Sequence, residues 1–147
     1  VSIPVIAAGG IADGRGVAAA FMLGAEAVQM GTRFVASREA VVHENYKEQI
    51  LKAKDIDSVI TGASTGHPVR SLRNHMTREY LQLEKDNADF MELEKLTLGS
   101  LRKAVVEGDT VNGTLMAGQI AGLIQEEKSC KEIIEEIMAQ AEELIHG

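Results

Sequence analysis

The sequence predicts a parallel α/β fold, and three observations within its first 32 residues carry that prediction. Two short apolar runs, residues 4–8 (Pro-Val-Ile-Ala-Ala) and 25–30 (Ala-Glu-Ala-Val-Gln-Met), have the length and composition of strands. A small-residue helical segment from Asp13 to Leu23 lies between them and stops at Gly24. Each run then ends in a glycine turn, Gly9-Gly10 after the first and Gly31-Thr32 after the second. Strand, turn, helix and strand in this order form the repeating unit of a parallel sheet.

The elements can be justified one by one. Residues 3–8 are apolar throughout, as expected of a strand buried on both faces. Asp13 is the expected N-cap of the helix, whose alanines allow close packing on a sheet. In the second strand, Glu26 belongs near the solvated start and Gln29 near the glycine turn. Gln29 is then either a ligand contact or an ordinary capping amide. Residues 33–37 read as a helical turn, with Arg33 either near a bound anion or in a surface ion pair.

These turns suit an anion. Glycine lets the backbone approach a ligand and adopt positive φ. Ligands of parallel α/β folds sit beyond the carboxyl ends of the strands, and the last two strands of a (β/α)8 barrel often supply a phosphate site. Helix N-termini behind the turns would add free N–H groups, and the Thr32 hydroxyl one more donor. The pattern by itself supports a phosphate-bearing ligand.

Beyond residue 38 the pattern becomes more helical. Segments 44–54 and 74–86 have charged and apolar faces, the second with Asn74 as its cap, and 91–107 reads as one further helix. Residues 58–64 read as a short strand and turn, followed by extended backbone at His67-Pro68. Gly108-Asp109 and Asn112-Gly113 mark turns. Residues 115–124 are expected to form a short helix, with Gly118 and Gly122 giving it a flat side. Ser129-x-x-Glu132 is a capping box opening a last amphipathic helix with an isoleucine-rich stripe.

Bulk composition narrows the function classes. The chain has 147 residues, 45% apolar and 25% charged, with a net charge of −7 that argues against a nucleic-acid surface. No apolar run approaches the ~20 residues of a membrane helix. The single cysteine, Cys130, cannot form an internal disulfide, in keeping with an expected cytoplasmic location. His43, His67, His75 and His146 lack metal-ligand spacing, so no metal site is expected. His67 either faces a site or holds a loop. No residue stands out as catalytic.

The runs Ile6-Ala7-Ala8-Gly9-Gly10-Ile11-Ala12-Asp13-Gly14 and Gly24-Ala25-Glu26-Ala27-Val28-Gln29-Met30-Gly31-Thr32 resemble the FMN site of one family. That family joins the nitronate monooxygenases to the type II, FMN-dependent enoyl-acyl-carrier-protein reductases. The resemblance extends to His67-Pro68-Val69-Arg70 and to residues 116–123 (Met-Ala-Gly-Gln-Ile-Ala-Gly-Leu), and the reductase branch is the nearer. It implies FMN contacts from Gly10, Gln29, Met30, Gly31 and Thr32, with Gly9 added as the neighbour of Gly10. It implies NADH or NADPH as reductant, an enoyl substrate on acyl carrier protein in fatty-acid synthesis, and a homodimer. The alternatives are a nitronate monooxygenase on the same scaffold, a non-catalytic phosphate-binding module, and a flavin-free phosphate-binding barrel.

The resemblance also implies an architecture. Residues 1–38 would be the last two βα units of a TIM-type (β/α)8 barrel, 39–112 an inserted, mostly helical lid, and 113–147 helices returning to the barrel. Residues 116–119 would then lie near the flavin, although simple helix–sheet packing explains them equally. A complete barrel takes ~250 residues, so the chain is expected to be the C-terminal half of a longer enzyme, inactive alone. Its unpartnered apolar surface should make the isolated chain unstable, aggregated or dimeric. Sedimentation and thermal melting test this: a cooperative melt of a monomer at micromolar concentration would contradict it.

Overall fold

The computed structural model describes residues 1–147. Strand β1 (Ile6–Ala8), helix α1 (Gly14–Met22), strand β2 (Ala27–Gln29) and the single turn α2 (Thr32–Val35) come first. Next are α3 (Glu44–Lys52), β3 (Ser58–Thr61), β4 (Val69–Leu72), α4 (His75–Lys85), α5 (Phe90–Thr97) and α6 (Ser100–Glu107). A 3-10 helix (Gln119–Leu123) and the long α7 (Cys130–His146) complete the chain.

β1 and β2 are parallel, with Ile6 opposite Ala27, Ala7 opposite Val28 and Ala8 opposite Gln29. Asp13 caps α1 as expected: its carboxylate accepts from the amides of Arg15 (3.0 Å) and Gly16 (3.3 Å). α7 lies against α1, and Ile11, Val17, Ala18, Ile133, Ile137 and Ala141 form one core. Gly14 permits that approach. A Cβ there would stand 2.5 Å from the Ile137 carbonyl oxygen and 2.7 Å from the Ala141 nitrogen. The Gly14 amide instead donates to Gln140 Oε1 at 2.7 Å. At the other end of α7 the capping box forms, with Glu132 N donating to Ser129 Oγ (3.2 Å) and Ser129 N to Glu132 Oε2 (2.7 Å).

A second layer is antiparallel. β3 pairs with β4, and β4 pairs on its other side with residues 115–117 through Leu72 N to Leu115 O (2.8 Å) and Ala117 N to Arg70 O (3.3 Å). Opposed and alternate residues share a face of such a sheet. One face contributes Leu72, Leu115 and Ala117 to a core with Tyr46 and Ile50 of α3. The other is covered by α4, α5 and α6, where Met76, Tyr80 and Leu93 cluster.

Three expectations need correction. Residues 3–8 are not buried on both faces: Ile3 is 70% exposed and Ile6 59%, because only the Ala7 face of β1 packs, on the α1–α7 core, and nothing covers the face of Ile6 and Ala8. Residues 91–107 do not form one helix. Gly99 takes φ +75° and splits the segment into α5 and α6. Residues 115–124 are not one helix either, since the main chain of 115–117 is committed to β4 and only the remainder turns into the 3-10 helix.

The α1–α7 contact supplies a stability test. Gly14→Ala should cost the whole protein about 1–3 kcal/mol through overpacking, read as a lower urea midpoint. An unchanged midpoint would mean that α7 does not need this close approach.

Candidate functional site

The register of β1 and β2 decides where the two glycine turns go. The strands run the same way and pair up to Ala8 and Gln29, so Gly9-Gly10 and Met30-Gly31-Thr32 leave the sheet side by side at its carboxyl edge. Gly9 and Gly10 have φ of +84° and +74°, backbone that favours glycine, and an added Cβ at either would meet nothing within 4 Å. Gly31 differs. Its φ of −97° suits any residue, yet the space where its Cβ would stand is also empty. Neither strain nor internal packing accounts for a glycine there; open space beside the chain does.

The amides of Gly9, Gly10 and Gly31 have no hydrogen-bond partner within the protein. Thr32 opens α2, where the first N–H groups have no intrahelical acceptor. The Thr32 hydroxyl accepts from Gly118 N at 2.9 Å, which leaves its own proton available. Gln29 is exposed, and Met30 packs partly against the α1–α7 core. The six sequence-predicted residues thus lie together along one edge.

Two other predicted contributions fail. The N-terminus of α1 offers no free donors. Gly14 N is taken by Gln140, Arg15 N and Gly16 N by the Asp13 side chain, and Val17 N by Asp13 O. The Arg15 side chain, 2.7 Å away, holds the Asp13 carboxyl below the usual carboxylate range. Arg33 is neither beside the turns nor in a surface ion pair. It is buried, with Nη1 donating to the Glu126 carbonyl at 3.2 Å. Burial pulls its guanidinium pKa down, against the opposing pull of the Glu136 and Glu126 carboxylates.

The cation at this edge is one that sequence reasoning missed. Arg70 of β4 lines a cleft with Gly31, Thr32, Met116 and Gly118, and Nη1 is steadied by Ser58 Oγ at 3.0 Å. The available signal was alternation along β4, which sets Arg70 on the face opposite Val69 and Ser71. Tyr46 was also missed as part of the site. Its hydroxyl donates to the Met116 carbonyl at 2.7 Å and holds the 116–118 strand against α3. His67 is exposed on a loop, with its amide bonded to Gly62 O.

A family model described as nitronate monooxygenase matches residues 1–140. The chain belongs to the nitronate monooxygenase family. A probable nitronate monooxygenase of Staphylococcus saprophyticus is 36% identical over 146 residues, 99% of this chain and 41% of that protein. FabK of Thermotoga maritima superposes with a TM-score of 0.94 at 58% identity, covering 99% of this chain and 46% of that one. A nitroalkane oxidase of Streptomyces ansochromogenes superposes with a TM-score of 0.75 at 32% identity, covering 97% of this chain and 40% of that one. The chain therefore spans less than half the length of these family relatives and corresponds to their C-terminal half. Its fold is part of the barrel of these oxidoreductases.

Within this family member, Tyr46 makes the order of the site depend on pH. Burial pushes its phenol up to about 12, and only the neutral phenol can donate to the Met116 carbonyl. A raised pKa means that the folded state favours the neutral phenol. The contribution is full below the ordinary value of 10.0 and is lost as pH rises through about 12. Tyr46→Phe should remove this part of the alkaline loss of stability, followed by denaturation at pH 8 and above. Equal alkaline loss in both proteins would contradict it.

Proposed function

We propose that the whole protein is an FMN-dependent enoyl-acyl-carrier-protein reductase. It would reduce trans-2-enoyl thioesters of fatty-acid synthesis with NADH or NADPH, as a cytoplasmic homodimer. The observation that carries this reading is the pair of adjacent strand tips with free amides and an unfilled space over Gly31. The high structural similarity to FabK favours the reductase branch.

The residues present fit a phosphoryl group. Gly9, Gly10, Gly31 and Thr32 would hold it through main-chain N–H groups, which aim fixed partial positive charge without a mobile side chain. The Thr32 hydroxyl, positioned by Gly118 N, would donate as well. Gln29 stands on the same edge for a neighbouring hydroxyl, and Arg70 faces the cleft from the opposite layer. Bound there, FMN would supply the hydride chemistry that no side chain of this chain provides. The chain's own part is to fix that group at the barrel mouth. Residues 39–112 would form the lid beside it, excluding water from the reacting face.

The second reading, a nitronate monooxygenase, is favoured by the family model and the curated relatives. The phosphate turns serve both chemistries, so substrate turnover separates them. The whole protein should consume NADH with a crotonyl thioester faster than it consumes oxygen with an alkyl nitronate. The reverse order would assign it to the oxygenases, and a colourless protein that takes up no FMN would defeat both readings. Gly31→Ala tests the cradle itself. The new methyl group strains no backbone and touches nothing in the protein, so thermal stability should hold. FMN affinity should fall roughly 10–100-fold, or about 1.4–2.8 kcal/mol. Unchanged affinity would place the phosphate elsewhere.

A further inference from the structure

The second layer encloses a cavity of about 350 Å³ that the phosphate turns do not use. Its sheet wall comes from the face bearing Thr61, Val69, Thr114 and Met116. Its helical wall comes from α4, α5 and α6. The depth of the cavity is buried, with Met76 3%, Leu93 3% and Ser100 2% exposed. The rim is apolar and open, with Phe90 56%, Leu101 41% and Met116 42% exposed. Large apolar side chains left open around a lined cavity are the composition of a ligand mouth.

Four hydroxyls on the wall, those of Thr65, Thr97, Ser100 and Thr114, are already committed. Ser100 Oγ and Thr114 Oγ1 share a hydrogen bond at 2.6 Å, and Ser100 Oγ lies 2.7 Å from the Thr97 carbonyl. Thr97 Oγ1 donates back to the carbonyls of α5, and Thr65 Oγ1 to Gly62 O at 3.0 Å. What these four leave for a ligand is their carbon surface, beside the polar groups of Thr61, His67 and Tyr80. No lysine or arginine lines the cavity, and the Glu94 carboxylate does, so an anionic ligand such as a free fatty acid is disfavoured. A neutral, flexible apolar chain fits both constraints.

Met116 lines this cavity and also the cleft at Gly31, Thr32 and Gly118. The cleft belongs to the proposed cofactor phosphate and lies on the Arg70 face of the sheet, whereas the cavity lies on the Val69 face. A substrate outside the cleft therefore reaches the cavity by passing its tail around the edge strand at the half-open Met116. We propose that this cavity holds the linear acyl chain of a neutral thioester substrate, and that Leu101 at its rim limits the length it accepts. The assignment rests on the reductase reading for its substrate and on the cavity alone for its apolar chain.

The test uses the whole protein loaded with FMN and titrated calorimetrically with non-reacting saturated thioesters from butyryl to decanoyl. Affinity should rise roughly three- to fourfold per added methylene until the cavity is filled. Leu101→Trp should cut the gain from butyryl to decanoyl by roughly tenfold, the worth of about two methylenes. Leu101→Ala, a change at a partly exposed position, should carry the rise to longer chains. A flat series, or a variant that weakens all lengths equally, would overturn the cavity assignment even if crotonyl thioester is reduced. A chain-length series that behaves as described in a protein without enoyl reduction would uphold the cavity and defeat the reductase reading.

Discussion

The candidate phosphate site of this chain depends on the parallel register of two three-residue strands. Ala8 opposite Gln29 brings two glycine turns, with Gly31 placed 21 positions after Gly10 in sequence, to the same edge of the sheet. An antiparallel pair would have sent them to opposite ends. The register is supported from outside the sheet. α1 returns the chain to the start of β2, and α7 clamps α1 through the bare backbone of Gly14. The same clamp occupies the amides at the start of α1. It leaves Gly9, Gly10, Gly31 and Thr32 as the donors that face outward.

The two layers share part of a core, with Ala36 at the end of α2 buried among Tyr46, Leu72 and Leu115. Hydrogen bonds with two hydroxyl-bearing side chains fix the strand beside it. Gly118 N donates to Thr32 Oγ1, and the Tyr46 hydroxyl donates to Met116 O. Both bonds involve the strand that carries Met116, so its position couples the glycine turns to the antiparallel sheet. One side of that sheet is filled by α3, and the other is left with a cavity. A scaffold that binds a phosphoryl group at one edge and an apolar chain beside it needs this kind of division.

Much of the first 38 residues was legible because local rules and tertiary packing agree there. Asp13 is a cap by chemistry and by contact, Gly24 ends α1 with φ +97°, and both glycine turns lie where the apolar runs stop. The last helix was legible for the same reason, through Ser129 and Glu132. Elsewhere long-range pairing overrode the local pattern. Residues 115–117 carry helix-compatible side chains, but their backbone satisfies β4, a partner more than 40 residues away. Gly99 sits inside a helical periodicity and breaks it by adopting a left-handed conformation. Arg33 looked available to an anion because nothing in the sequence shows that Glu126 O lies beside it. Arg70 went unassigned because its place in the cleft depends on the pairing of β4.

A crystal structure of the whole protein bound to FMN would be the most direct test of the proposed phosphate cradle. Phosphate oxygens should lie within hydrogen-bonding distance of main-chain nitrogens on both tips, Gly10 on one and Gly31 or Thr32 on the other. A phosphate held instead by the Arg33 or Arg70 side chain, with those amides turned to solvent, would contradict it.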